Sequence, residues 1–135
     1  MKVLIIRMNT IYSYIDDAIF FYRKIITLGG KIMEEKIFEI ILHCGDARGH
    51  AFDALKFARE GGFDEAADSI KKSEEELRLS HKTQTELIQS EINGEKVEMS
   101  LLMVHAQDQL MTAISEQNLI VQMIEMCKEI KELKK

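Results

Sequence analysis

Between Glu34 and Glu60 the apolar positions recur at helical spacing. Ile37, Ile41, Cys44, Ala51, Leu55 and Ala58 follow steps of four, three, seven, four and three. The core-spaced position skipped by that series holds Arg48. Gly61-Gly62 then stops the helix. A second helix is predicted from about Asp64 to Ile92, with Phe63, Ala66, Ile70, Leu77, Leu87 and Glu91 marking its stripe. Ser73, Ser80 and Gln84 occupy heptad-spaced places on the same stripe. "NGEK", Asn93 to Lys96, reads as a turn. Ser100 is an N-cap for a third helix running to about Leu133. Three long helices with short connections predict an all-α fold, an antiparallel up-down-up three-helix bundle.

The N-terminal part reads differently. "TLGGK", Thr27 to Lys31, is its clearest break, because paired glycines oppose helix. The expected organisation is an N-terminal extension over residues 1–32, of unassigned role and not necessarily native, followed by the bundle domain over residues 33–135. Met33 is a second candidate for the natural start. "MKVLIIRMNT" carries a short apolar run interrupted by Arg7, with no convincing cleavage pattern behind it. "AIFFYRKIITLGG" is too short and too charged to span a bilayer, which takes about 20 apolar residues. The expected setting is soluble and cytoplasmic; a membrane-surface helix in the first 30 residues is the weaker alternative.

Helix three changes the picture of assembly. Leu101, Leu102, Met103, Val104, Ala106, Leu110, Met111, Ala113 and Ile114 make it apolar on most of its circumference. Two neighbouring helices do not easily cover such a helix. A homo-oligomer centred on helix three follows, against the alternative of a larger monomeric core that includes residues 1–30. Composition adds limits. The chain has no proline, which favours long helices, and a net charge of −5, which argues against a general nucleic-acid surface. Cys44 and Cys127 are far apart and form no CxxC, consistent with a reducing compartment and no disulfide framework.

Within the apolar run "SLLMVHAQDQLMTA" lies a polar strip. His105, Asp108, Gln109 and Thr112 share one helix face at steps of three and four, with Leu101 above them. Burying such groups unpaired costs about 1–3 kcal/mol each, so they are partnered or functional. A metal site has only His105 and Asp108 from one chain, and no HExxH is present. No GxSxG, P-loop or GxGxxG supports a serine hydrolase or a nucleotide site. Nucleophilic catalysis by the imidazole itself stays open, because a neutral ring nitrogen can attack a phosphoryl group and pass it on as a labile phosphoramidate. A core or interface histidine is the competing reading of the same pattern.

"GDARGHAFDALKFAREGGFDEA" (Gly45 to Ala66), "SHKTQTELIQSE" (Ser80 to Glu91) and "SLLMVHAQDQLMTA" (Ser100 to Ala113) together resemble a known family. It is the lactose/cellobiose (chitobiose) family of IIA components of the bacterial phosphoenolpyruvate-dependent sugar phosphotransferase system. The resemblance spans roughly Ile37 to Ile130, and "VHAQD" followed by "LMTA" with the upstream "GDAR" is its specific part. It implies three-helix bundles that assemble as a homotrimer. It implies that His105 accepts a phosphoryl group from the carrier protein HPr. That group then passes to a cysteine of the IIB component, which serves the membrane IIC component. The resemblance further implies that Asp108 lies near the trimer axis, where three copies share a divalent metal ion such as Mg, and it implies no nucleotide and no nucleic-acid partner. Members usually carry a second histidine where Gln109 stands; glutamine keeps hydrogen-bonding capacity but cannot become cationic. The alternative function is a non-catalytic helical-bundle interaction or regulatory module.

The remaining polar residues are read more plainly. His81 and Gln84, one turn apart on helix two, line a pocket or fix a subunit interface, the latter favoured. His43 and His50 are expected solvated or partly packed, and Arg48 to pair with a carboxylate across the bundle. Met99, Met103, Met111, Met123 and Met126 are expected to pack, and the basic "KEIKELKK" end suits a helix C-terminus.

Overall fold

A computed structural model describes the backbone of residues 2–134 and the side chains of residues 29–134. Among the described residues the chain is all helix: α1 (Lys2–Glu60), α2 (Phe63–Ile92) and α3 (Leu101–Leu133). It divides into two compact units, Met1–Glu35 and Lys36–Lys135. The first is helical from Lys2 onward, and the second is the bundle. The break expected at "TLGGK" is not there, since α1 runs through Gly29 and Gly30. A glycine costs a helix only about 1 kcal/mol against alanine and adopts helical dihedrals as readily as turn ones.

Cross-helix contacts set the directions within the bundle. Lys36 meets Glu86 and His43 meets Glu76, so α1 and α2 run antiparallel. Gln84 meets Gln107, and the Lys131 ammonium lies 5.0 Å from the Phe63 ring centroid, so α2 and α3 are antiparallel too. Arg48 reaches Glu116 and Lys131 reaches the Gly61 carbonyl, which makes α1 and α3 parallel. This is the expected up-down-up order.

The turns follow from local chemistry. At the end of α1 the Gly62 N–H donates to the Phe57 carbonyl (2.9 Å) and the Gly61 N–H to that of Ala58 (3.1 Å). That is a Schellman motif, and it needs the φ of +91° that Gly61 supplies. Gly94, at φ +86°, closes α2 in the same way, with Glu95 N–H on the Ser90 carbonyl. Ser100 caps α3 as expected, its hydroxyl accepting from the Met103 N–H at 3.1 Å.

The core is a seam of small residues. On α1 the buried row is Ile37, Ile40, Cys44, Ala47, Ala51, Ala54 and Ala58, while Ile41, Arg48 and Leu55, each seven apart, form a half-buried second row. The predicted stripe mixed the two rows because alanine carries too little hydrophobicity to mark a core position. On α2 the buried positions are Ala66, Ser69, Ser73, Leu77, Ser80, Thr83 and Leu87, and Glu91 is exposed at the frayed end of the stripe. On α3 a single row is buried: Met103, Ala106, Leu110, Ala113, Gln117, Ile120 and Ile124. Two neighbours cover only that row, so Leu101 (86% exposed), Val104 and Met111 face outward. Of the methionines expected to pack, Met99, Met111, Met123 and Met126 are exposed and only Met103 is buried.

Candidate functional site

α3 presents the polar strip along its edge rather than into the core. His105 and Asp108 are exposed, and Gln109, Thr112 and Glu116 are half-buried where α3 meets α1. The reading of His105 as a core histidine therefore fails within one chain. Its imidazole is open to an incoming reactant.

The strip is organised by one cation. Arg48, in the half-buried second row of α1, donates from Nη1 to Gln109 Oε1 at 2.7 Å and from Nη2 to Thr112 Oγ1 at 2.9 Å. Its Nε donates to Glu116 Oε2, forming an ion pair. Three successive turns of α3 are thus held by one guanidinium, whose rigid fork suits such a multidentate contact. Thr112 has its own hydroxyl proton engaged, donating to the Asp108 carbonyl at 2.7 Å, which leaves its oxygen free to accept from Arg48. The expected pairing of Arg48 across the bundle is what the structure contains, and its place one turn beyond His105 brings a positive charge near the strip. Glu116 was missed in the sequence. The only signal for it was its position seven residues after Gln109 on the same face.

The other candidates sit apart from His105. Gln84 donates from Nε2 to Gln107 Oε1, and Gln107 in turn contacts the Met103 sulfur at 3.8 Å. Gln107 is two residues from His105, nearly opposite on the helix, so Gln84 braces α2 to the far side of α3. His81 is exposed on α2. His43 is bonded through Nδ1 to Glu76 at 2.6 Å and joins α1 to α2. Cys44 is fully buried beside Ser80, Sγ to Oγ 3.2 Å. Burial pushes its thiol pKa up, against the opposing pull of the Ser80 hydrogen bond and the Arg48 charge. It is an inert core thiol, not a nucleophile.

Metal ligation by one chain does not fit this geometry. Among the described residues no three His, Cys, Asp or Glu side chains gather as a ligand set. Asp108 offers one exposed carboxylate, a hard oxygen donor that suits Mg in type but not in number.

An exposed histidine on a helix edge, one turn from a fixed ladder of donors and acceptors, is the arrangement to set beside known proteins. The family model for the lactose/cellobiose specific IIA subunit of the PTS system matches residues 35–128. This chain belongs to that family. It is 47% identical over 100 residues to the lichenan-specific phosphotransferase enzyme IIA component of Bacillus subtilis, covering 74% of this chain and 91% of that protein. It is 37% identical over 99 residues to the N,N'-diacetylchitobiose-specific IIA component of Escherichia coli, covering 73% and 85%. The crystal structure of the cellobiose-specific enzyme IIA from Bacillus anthracis superposes with a TM-score of 0.72 at 43% identity, over 74% of this chain and 92% of that one. The IIA(chitobiose) chain solved in complex with HPr from Escherichia coli gives a TM-score of 0.66 at 36% identity, over 73% and 96%.

As a IIA component, the chain is a phosphoryl carrier of a sugar phosphotransferase system. Open cavities of about 370 and 290 Å³ lie around Phe63, one towards Lys131 and one between α2 and α3, and neither is lined by the His105 strip. A carrier that hands a group from one protein to another needs an exposed nucleophile rather than a small-molecule pocket.

Proposed function

We propose that His105 is the phosphoryl acceptor and donor, taking the group from phospho-HPr and passing it to a cysteine of a IIB component in a lactose, cellobiose or chitobiose type of sugar uptake system. The observation that carries this reading is the exposed imidazole of His105 on the turn before the Arg48–Gln109 contact. A neutral ring nitrogen attacks the phosphorus in line, the N–P bond forms as the donor's bond breaks, and a thiolate later attacks the same phosphorus from the opposite side. The chain supplies position and hydrogen-bond donors; no side chain gains or loses the phosphoryl group except His105. The similarity to a IIA chain solved with HPr supports HPr as the donor. Among the described residues no helix is long and apolar enough to cross a membrane, which fits a carrier acting in the cytoplasm and meeting the membrane IIC component through IIB.

The working unit in this proposal is a homotrimer. Leu101, Val104, Asp108, Met111 and Ser115 form a second, outward heptad row on α3, all exposed in one chain. Packing three such rows together would cover the apolar residues and bring three Asp108 carboxylates to one axis. There a divalent cation would relieve their repulsion. His81, exposed on α2, is assigned to the interface between subunits rather than to the chemistry.

Incubation with phosphoenolpyruvate, enzyme I and HPr should add one phosphoryl group per chain, acid-labile and alkali-stable, read by mass spectrometry. Labelling of His105→Ala would overturn the assignment and favour the non-catalytic interaction module. Native mass spectrometry of wild type and Asp108→Asn tests the rest. A monomeric wild type would remove the trimer, and an Asp108→Asn trimer with unchanged metal content would remove the metal assignment.

A further inference from the structure

We infer that Arg48 is a positioning residue that fixes the polarity of the Gln109 side chain, so that this amide presents its N–H₂ end to a phosphoryl group on His105. The inference rests on His105 as the acceptor. A guanidinium carries only donors, so the Gln109 atom facing it at 2.7 Å is necessarily the oxygen. The amide nitrogen then lies on the other side of the same planar group.

Which side that is follows from the other contacts of Arg48. They are Thr112 and Glu116, both C-terminal to Gln109, so the guanidinium sits below Gln109 along α3. His105 sits one turn above it, and helical side chains lean toward the N-terminal turn. The free amide end is therefore turned toward the His105 turn. Thr112 and Glu116 hold the guanidinium itself in place, the first by hydrogen bond and the second by charge.

The polarity matters because a glutamine is ambivalent. Turned one way, it donates to an anionic phosphoryl oxygen; turned the other, it sets a carbonyl oxygen against that anion. Without an anchor the two orientations differ by a rotation about one soft torsion. Arg48 removes that choice before the phosphoryl group arrives, so no reorganisation is needed during transfer.

A double-mutant cycle tests this. Initial rates of phosphoryl transfer from phospho-HPr are measured for wild type, Arg48→Met, Gln109→Leu and the double variant, with His105→Ala as the control for the acceptor. Arg48→Met should slow transfer roughly tenfold, a loss on the scale of one misdirected hydrogen bond. In the Gln109→Leu background the same change should have little further effect. Arg48→Lys, which keeps a donor for Gln109 Oε1, should recover most of the rate. The ¹⁵N-resolved side-chain amide protons of Gln109 should shift on phosphorylation of wild type and Arg48→Lys but not of Arg48→Met. Additive effects in the cycle, or a phosphorylation-induced amide shift in Arg48→Met as large as that of wild type, overturn the positioning role while leaving His105 as acceptor. Labelling of His105→Ala overturns both. Should Arg48→Met fail to fold, the Arg48→Lys rate and amide shift decide alone, full loss of both overturning the inference.

Discussion

Two sets of polar side chains lie at the helix contacts of this bundle, and they are built on opposite terms. On the α2 seam, Ser69, Ser73, Ser80 and Thr83 are buried, small and uncharged. At the edge between α1 and α3, Arg48, Gln109, Thr112 and Glu116 are long, half-exposed and joined in one ladder. The seam groups use backbone acceptors: Thr83 donates to the Leu79 carbonyl of its own helix and Ser80 to the Ile40 carbonyl of α1, each at 3.3 Å. The fully buried Ser73 hydroxyl has no hydrogen-bond partner among the described residues. Small hydroxyls are tolerated there because they let helices approach closely, whereas the ladder fixes long side chains one turn from the exposed His105. Polar groups kept for packing and polar groups kept for chemistry are thus separated by about one helix face.

The sharpest way to break this division is at His105 itself. His105→Ala should abolish phosphoryl uptake while leaving unfolding in urea unchanged to within about 0.5 kcal/mol, as for other exposed positions. A large loss of stability would move His105 into the structural set. Leu110→Ala, on the buried face of the same helix, should do the reverse. Leu110 is fully buried, and truncation should cost about 2–5 kcal/mol, read as a lower urea midpoint. His105 should still be labelled in whatever fraction remains folded.

The seam makes a finer prediction. Ser73→Ala should stabilise the protein by roughly 1 kcal/mol, because it removes an unpaired buried hydroxyl. A destabilised variant would show that the hydroxyl has a partner, such as an ordered water, and belongs to a network like the ladder. Cys44 gives the smallest effect. Burial raises its thiol pKa above the ordinary value. The folded state therefore holds the proton more tightly than the unfolded one, and this contribution is present below the usual thiol range and lost as pH rises through it. Urea unfolding from neutral to mildly alkaline pH should show wild type losing more stability than Cys44→Ala; parallel losses would put Cys44 outside that linkage.

The division also explains what the sequence made legible. Helix ends were readable because their chemistry is local: Gly61 and Gly94 carry the positive φ and Ser100 carries the cap within a few residues of each terminus. The His105 strip was readable because three- and four-residue spacing puts its members on one face. The burial of that strip was misread, since apolar neighbours such as Leu101 and Val104 face outward. Ile40 and Ala54 were displaced by Ile41 and Leu55 because both rows have helical spacing and only the packing of a neighbour chooses between them. Gln84 was associated with the site by proximity to a family pattern, but its partner Gln107 is on the other side of α3. Arg48 was expected to pair with a carboxylate across the bundle, but its particular partners were not readable, because no local rule pairs residues separated by 61 to 68 positions.

That separation has a kinetic consequence. α1 and α3 are joined through α2, and the Arg48–Gln109 contact spans 61 positions. Contacts of high sequence separation pay their loop-closure entropy before they are formed, and they are expected late on the folding path. On the positioning role inferred for Arg48, a partly folded carrier would be a slow one.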